Sequence, residues 1–258
     1  PRFLLRGMVG LHASMTLSDE TLDDAFELME IFGVGAHVHV AEGIEDVNAT
    51  RKMCGLSPAG RLAKKGILNP RSLAIHCVHV DEEDIKLIKK SGCYVVHNPS
   101  SNLNNAVGVA PFLSLCRGGV PVAIGTDGMS SGVAGDIKLA SVLHKPGALD
   151  AQAAWEEVEG AVRFVAPHMV SGMFGCRVGV LEKGAAADII IVDDAPPTPL
   201  DGENSWGHTI FGALNARVRT TIIDGKIRMH DFQMADIDEI SLSDAAKQLS
   251  KRLWKRIS

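Results

Sequence analysis

The fold and the site are both indicated by one stretch, Ala36-His37-Val38-His39-Val40-Ala41-Glu42. Its valines alternate with histidines, which is the two-residue period of a β-strand. His37 and His39 therefore share one face, and Glu42 follows where the strand should end. A histidine at a strand end, with a carboxylate three residues later, suits a metal ligand beside a proton carrier. The alternative is a buried histidine pair beside a surface glutamate, since short motifs also occur by chance.

The segments around this stretch repeat the order strand, loop, helix. Four predicted strands end in or run into a polar residue, namely His39, His76, His97 and Asp127. Strands that alternate with helices are typical of a parallel sheet, and in a βα barrel their ends lie on one rim, where active sites form. An open doubly wound sheet is the competing architecture. We find no glycine-rich phosphate loop after a strand, so a dinucleotide site is poorly supported.

Helix ends are marked by capping residues. Ser18 and Asp81 are typical N-caps, Ser57-Pro58 opens a third helix, and Gly33 and Gly92 stop the first two. The alternation breaks down in the last third of the chain, where Asp224-Gly225 predicts a hairpin turn between two strands. We expect a small β unit there, followed by an amphipathic docking helix over 241–257.

Composition excludes several classes of partner. The 258 residues include 26 basic and 31 acidic side chains, for a net charge of −5. No basic run or bilayer-length apolar run occurs, so we predict no nucleic-acid partner and no membrane partner. The five cysteines are scattered without a CxxC motif, which is typical of reduced thiols. We therefore predict a cytoplasmic protein that binds a small-molecule substrate.

Three of the strand-end groups could hold one divalent metal ion. His39, His76 and Asp127 supply nitrogen and oxygen ligands of the kind that suit zinc, iron or manganese. Such an ion lowers the pKa of bound water, and Glu42 could then carry a proton. Each group alone also has a structural interpretation: His76 could be a core histidine, and Asp127 before Gly128 could cap a turn. Their joint occurrence on successive strand ends favours the metal site.

These residues also carry a family resemblance. The motifs are His39-Val40-Ala41-Glu42, Ala74-Ile75-His76-Cys77-Val78-His79, His97-Asn98-Pro99-Ser100-Ser101-Asn102, Gly125-Thr126-Asp127-Gly128 and Gly179-Val180-Leu181-Glu182-Lys183-Gly184-Ala185-Ala186-Ala187-Asp188. In this order they resemble the amidohydrolase superfamily, in the branch of cytosine, guanine and S-adenosylhomocysteine deaminases and triazine chlorohydrolases. The resemblance implies an α/β fold, the C-terminal part of a (β/α)8 TIM-like barrel plus part of a small β-sandwich.

The resemblance also implies domains and residue roles. Residues 1–177 would form a partial βα barrel of strands four to eight, 178–232 a β-sandwich segment, and 233–258 a C-terminal helix. His39 matches a metal ligand and Glu42 the proton shuttle. His76 matches a group that binds metal or substrate, and Asp127 a ligand that is also a base. His12, expected in the loop after the fourth strand, resembles a substrate-contacting histidine. His37, His79 and His97 match less well, and we interpret His37 as an inner-shell or packing group and His97 with Asn98 as part of the loop near the pocket.

Two features depart from the family pattern. Members carry a His-x-His pair on a first strand, and nothing before His12 supplies one. We therefore expect that a missing N-terminal segment completes the barrel and that the isolated segment 1–258 has no activity. We also expect that the exposed sheet edges are covered, either by the missing segment or by another subunit of a homo-oligomer. The branch often has a lysine soon after its Ser-Asn, whereas Leu103-Asn104-Asn105 follows here. The substrate pocket of the branch is therefore a weaker guide to the pocket of this chain.

The resemblance implies a metal-dependent hydrolase of C–N bonds with one metal ion, most simply zinc, that deaminates an amino-substituted nitrogen heterocycle through an ion-activated water. One alternative is an amide or carbon–halogen hydrolase on the same scaffold. Another is a non-catalytic scaffold whose metal site is degenerate.

Overall fold

The computed structural model describes residues 4–257 and divides the chain into two units, Pro1–Arg177 and Val178–Ser258. Strands of the first unit are β1 (Val9–Ala13), β2 (Ala36–Val40), β3 (Leu73–His76), β4 (Tyr94–His97) and β5 (Val122–Ile124). Its helices are α1 (Asp19–Phe32), α2 (Ile44–Cys54), α3 (Pro58–Lys64), α4 (Glu82–Ser91), α5 (Pro99–Asn104), α6 (Phe112–Arg117), α7 (Ala134–Leu143), α8 (Lys145–Ala148), α9 (Trp155–Gly160) and α10 (Ala166–Phe174). The predicted α/β class is confirmed.

The five strands form one parallel sheet in the order β1-β2-β3-β4-β5. Val38 pairs with Ala74, Ala74 with Val95, and Val96 with Ala123, so each strand lies beside its neighbour in the chain. A doubly wound sheet reverses its strand order at a switch point, and this sheet does not. The order is that of a barrel segment, although the described strands form an open sheet and not a closed barrel.

Burial follows from the composition of the strands. Val38 and Val40 of β2 are fully buried, and all four residues of β3 are buried, which is typical of a parallel sheet covered on both faces. The helix ends use the predicted residues. The Ser18 hydroxyl accepts the Thr21 N–H, and Gly33 ends α1 in the left-handed conformation with φ of 62°. Caps and strand periods therefore account for most of the sheet and helix pattern.

The prediction that His12 lies in a loop was wrong. His12 lies within β1. The strand reaches this residue because Gly10 pairs with His37 and Ala13 pairs with His39 of the neighbouring strand. Gly10 has a low strand propensity, and the pairing partners are distant in sequence. Tertiary pairing therefore extends the strand beyond its local signal.

Gly35 is required where α1 returns to the sheet. A Cβ at this position would lie 1.9 Å from the Arg71 carbonyl oxygen and 2.1 Å from its carbon, both main-chain atoms that cannot move aside. We expect Gly35→Ala to lower the free energy of unfolding by about 1–3 kcal/mol, the usual cost of overpacking. Gly10→Ala is the control, because a Cβ there meets nothing within 4 Å, and urea denaturation measures both variants. Equal unfolding midpoints would contradict the expected clash.

The described part of the second unit contains one antiparallel sheet, two α-helices and a short 3-10 helix, Ala213–Asn215. Its elements are β6 (Ile189–Val192), α11 (Ser205–Phe211), β7 (Val218–Ile223), β8 (Lys226–His230), β9 (Gln233–Met234) and α12 (Glu239–Ile257). The sheet order is β6-β7-β8-β9, and the hairpin at Asp224-Gly225 is confirmed, with φ of 51° and 74°. The sheet extends to Met234, beyond the expected limit of 232. The last helix begins at Glu239 and not at 233, because the Asp238 carboxylate accepts the N–H groups of Ile240 and Ser241.

Across residues 4–257 we find no helix with both the length and the apolar character needed to span a membrane.

Candidate active site

The carboxyl edge of the parallel sheet brings together three of the predicted residues. His39 is the penultimate residue of β2, Glu42 lies just beyond it, and His76 ends β3. One possible ligand atom from each of these side chains lies within 4.8 Å of the other two. We call His39, Glu42 and His76 the edge cluster. Strand ends of a parallel sheet point to the same side, which is why residues 37 positions apart in the chain meet here.

Asp127 lies beside the edge cluster, next to His76. Its Oδ2 is 3.8 Å from His76 Nε2, and Glu42 Oε2 is 3.6 Å from the same nitrogen. Asp127 follows the end of β5 by three residues, so a third strand contributes to the edge. Two carboxylates therefore face the same histidine nitrogen.

The surroundings of His76 fit a divalent cation. The side chain is fully buried, and Nδ1 lies 2.8 Å from Asn102 Oδ1. Within residues 4–257, the buried Nε2 has no hydrogen-bond partner. Buried polar atoms are rarely left without partners. A cation such as zinc, which binds histidine nitrogen and carboxylate oxygen, would be a suitable partner for a nitrogen that faces two carboxylates. We conclude that His39, His76 and the nearby carboxylates form a donor set suited to a metal.

The protonation states agree with this donor set. Partial burial lowers the pKa of His39, and the neighbouring His76 ring lowers it further, which favours the neutral form with a free lone pair. The hydrogen bond from Ser101 holds the pKa of Asp127 below its usual value, so its carboxylate is ionised at neutral pH. Neutral imidazole and ionised carboxylate are the forms that bind metals.

Four residues at the same edge have a strained backbone. Ala41, His76, Cys77 and Asp127 all have positive φ, of 48°, 71°, 51° and 51°. Such conformations cost about 1–3 kcal/mol each in non-glycine residues and are found where the surroundings enforce them. Asp46 supplies part of that enforcement, since its carboxylate accepts the Ala41 N–H at 3.0 Å and the Met15 N–H at 2.9 Å. The turn at Ala41 directs the chain into Glu42.

Helix α5 and the residue that follows it carry three residues that were not predicted as site residues. Ser101 Oγ donates to Asp127 Oδ2 at 2.6 Å, and Asn105 Nδ2, just after the helix, donates to Glu42 Oε1 at 3.3 Å. Asn102 contacts His76, as described above. We call Ser101, Asn102 and Asn105 the support residues. The sequence does mark this segment, because a run of small polar residues directly follows β4. It does not show their partners, which lie at the ends of β2, β3 and β5.

The remaining predicted histidines lie at different distances from the cluster. The exposed His12 has its ring centroid 5.6 Å from that of His39, and its Nδ1 is 2.8 Å from Thr16 Oγ1. The His37 ring is 6.5 Å from His39 and is exposed, so it is not a packing group in the core. His79 Nε2 is 2.8 Å from the Val107 carbonyl oxygen, which ties two loops together. Of the His12 and His37 rings, the His12 ring therefore lies nearer to His39.

His97 lies in the interior. It is 1% exposed, stacks on Phe112 with centroids 5.2 Å apart, and has its Nε2 3.4 Å from His144 Nε2. Burial, with the neighbouring His144, lowers the pKa of His97 to about 3. This histidine is neutral in the folded protein throughout the physiological range.

Stability should therefore fall as the pH falls below the pKa of an unfolded histidine. The unfolded chain takes up a proton at His97 near pH 6.5, whereas the folded chain resists it down to about 3, so His97 stabilises fully above pH 6.5. Between these values we expect a loss of up to about 1.4 kcal/mol per pH unit from this residue. Urea denaturation between pH 5 and 8 measures the slope. His97→Gln should flatten it, and an unchanged slope in that variant would contradict the assignment.

Comparison with known proteins places this site in a family. The model of the amidohydrolase family matches residues 2–228. A 5'-deoxyadenosine deaminase of Methanosarcina mazei is 33% identical over 98% of this chain and 59% of its own length. A 5-methylthioadenosine/S-adenosylhomocysteine deaminase of Pelotomaculum thermopropionicum is 32% identical, with 98% and 59% covered.

A solved structure shows the same fold. The adenosine deaminase of Xanthomonas campestris, crystallised with bound zinc, superposes with a TM-score of 0.84 at 27% identity and covers 96% of this chain and 57% of that one. This chain thus spans about 59% of the length of the curated relatives named above. The match of the family model over most of the chain, together with the motifs at the sheet edge, shows that the chain belongs to the amidohydrolase family.

Proposed function

We propose that this chain carries the C-terminal catalytic groups of a metal-dependent hydrolase that deaminates an amino-substituted nitrogen heterocycle, in particular a 6-aminopurine nucleoside. The observation that carries the proposal is the edge cluster, His39, Glu42 and His76, with Asp127 beside it. The names of the relatives support the substrate class, since they are deaminases of 5'-deoxyadenosine and of 5-methylthioadenosine or S-adenosylhomocysteine. The reaction adds water at the ring carbon that bears the amine and releases ammonia.

His39, His76 and Asp127 would hold the ion. Zinc is supported by the bound zinc of the adenosine deaminase structure, and iron or manganese would suit the same nitrogen and oxygen ligands. When bound, the ion supplies Lewis acidity, which lowers the pKa of water to near neutrality. The neutral imidazole of His39 and the ionised carboxylate of Asp127 are already in the protonation states that ligation requires.

Glu42 is placed to move a proton. Asn105 Nδ2 donates to Oε1, while Oε2 faces His76 Nε2 at 3.6 Å, so one oxygen is held and the other is directed into the site. A carboxylate in this position can take a proton from the attacking water and deliver it to the ring nitrogen of the heterocycle. Protonation of that nitrogen makes the ring carbon a better target for water.

Asp127 and His76 would orient the reacting groups. Asp127 Oδ2 accepts the Ser101 hydroxyl and Oδ1 accepts the Gly128 N–H, so its carboxylate is held rigidly where it can order the water. After Glu42 has moved the first water proton to the ring nitrogen, Asp127 would take the second proton from the hydroxyl on the ring carbon and pass it to the amine, which leaves as ammonia. His76 lies between the two carboxylates and would stabilise the charge that develops at the tetrahedral carbon. His12, beside His39, would contact the substrate.

A release assay tests the proposal on the longest natural form of the protein. Zinc-loaded protein is incubated with 5'-deoxyadenosine, adenosine, a chlorotriazine and an aryl amide, and ammonia, chloride and carboxylate are measured separately. We expect ammonia from the aminopurine nucleosides. Release of chloride or carboxylate without ammonia would replace this proposal by a different hydrolase on the same scaffold, and no release of any product would favour a non-catalytic scaffold.

A further inference from the structure

Asn102 is buried against His76, the histidine that faces both Glu42 and Asp127. Its side chain is 1% exposed, and its Oδ1 lies 2.8 Å from Nδ1 of the fully buried His76. A neutral imidazole carries a single N–H, on either Nδ1 or Nε2. Because His76 is shielded from water, that N–H must find its acceptor inside the protein. The identity of the atom that faces Nδ1 therefore decides the tautomer.

The two tautomers have opposite consequences at Nε2. With the N–H on Nδ1, donated to Asn102 Oδ1, Nε2 presents a lone pair toward Glu42 Oε2 at 3.6 Å and Asp127 Oδ2 at 3.8 Å. A lone pair among carboxylates is stable only with a cation between them. With the N–H on Nε2, the same nitrogen would point a proton at the carboxylates and could not bind a metal.

Resting on the proposed function, we propose that Asn102 is a positioning residue that holds His76 in the Nδ1–H tautomer and so keeps Nε2 free for a divalent cation. The other support residues act on the carboxylates, since Ser101 donates to Asp127 and Asn105 donates to Glu42. Strand β4 therefore contributes through the helix that follows it. The segment 101–105 thus orients three groups from three other strand ends: Glu42 after β2, His76 at the end of β3 and Asp127 after β5.

Zinc affinity separates Asn102 from a merely structural residue. Asn102→Leu removes the acceptor at similar volume, whereas Asn102→Asp keeps an acceptor oxygen facing Nδ1. Asn48→Leu, at an exposed asparagine of α2, is the matched control. Competition with a chelator, on the longest natural form of the protein, gives each affinity. Loss of the residue that supports a metal-binding histidine weakens metal binding by about 10–100-fold, which we expect for Asn102→Leu. The Asp and Asn48 variants should stay within about threefold of the wild type, well below that range.

A second measurement does not depend on how well the variants fold. Nitrogen-15 NMR of wild-type, zinc-loaded protein labelled at histidine reports which ring nitrogen of His76 carries the proton, and we expect Nδ1. A proton on Nε2 alone, or equal zinc affinity in wild type and Asn102→Leu, would overturn the inference while leaving the metal site intact. Affinity as weak in Asn102→Asp as in Asn102→Leu would also overturn it. A wild-type protein that binds no zinc would instead overturn the proposed function.

Discussion

Replacing Glu42 with glutamine should lower kcat for deamination by about 10²–10⁴-fold, the usual contribution of a positioned acid–base group. The glutamine oxygen can still accept from Asn105 Nδ2, so the side chain should stay in place. An amide cannot take a proton from water and deliver it to a ring nitrogen, and this step is the one that the variant loses. The bound zinc should remain, because the proposed ligands are His39, His76 and Asp127.

The control for this experiment is Glu45→Gln, at an exposed glutamate in the first turn of α2. It removes the same charge three residues away and should leave kcat unchanged. The zinc content distinguishes two roles for Glu42, since this residue lies in the edge cluster with His39 and His76. Loss of zinc from Glu42→Gln would show that Glu42 is a ligand and would contradict its assignment as the proton carrier.

Replacing His39 with alanine should weaken zinc binding by more than about 100-fold, since losing even a supporting residue of a ligand typically costs about 10–100-fold. His39 is only half-buried, so its removal should not unfold the domain. Activity should fall with zinc occupancy and recover partly at high zinc. Isothermal titration of the zinc-free protein measures the affinity.

The neighbouring His37 provides a matched control. It lies two residues away on the same strand, its ring is 6.5 Å from that of His39, and it is exposed. His37→Ala removes an imidazole from the same surface but none from the edge cluster, so its zinc affinity should equal that of the wild type. If both variants bind zinc equally well, His39 is not a ligand. If His37→Ala alone loses zinc, the assignment of the two histidines must be exchanged.

The parts of the fold that local chemistry determines could be predicted. Val38 and Val40 alternate with histidines, Ser18 and Asp81 cap helices, and glycines end them, and each of these signals lies within a few residues of the feature it predicts. Strand β1 was misplaced because its pairing with β2 is a tertiary contact between segments 27 residues apart, as in Val9 and Ala36. Local signals do not report such pairings.

The site was predictable in its strand-end members but not in its support residues. His39, Glu42 and His76 stand at positions where the strand pattern alone directs attention. Asn102 and Asn105 gain their roles from partners 26 and 63 residues away. In sequence alone, an asparagine in a short polar segment indicates a turn, because its side chain commonly hydrogen-bonds to nearby backbone groups. Only the three-dimensional placement of α5 shows that these side chains face the carboxylates and His76.

Elemental analysis of the longest natural form of the protein, purified without added chelator, tests the central claim most directly. We expect about one zinc per chain, the amount for a single site built from two histidines and a carboxylate. Iron or manganese in the same amount would keep the site and change the metal. No bound metal, even after incubation with zinc, iron and manganese in turn, would contradict the account, because the unpaired nitrogen of His76 would then serve no ligand.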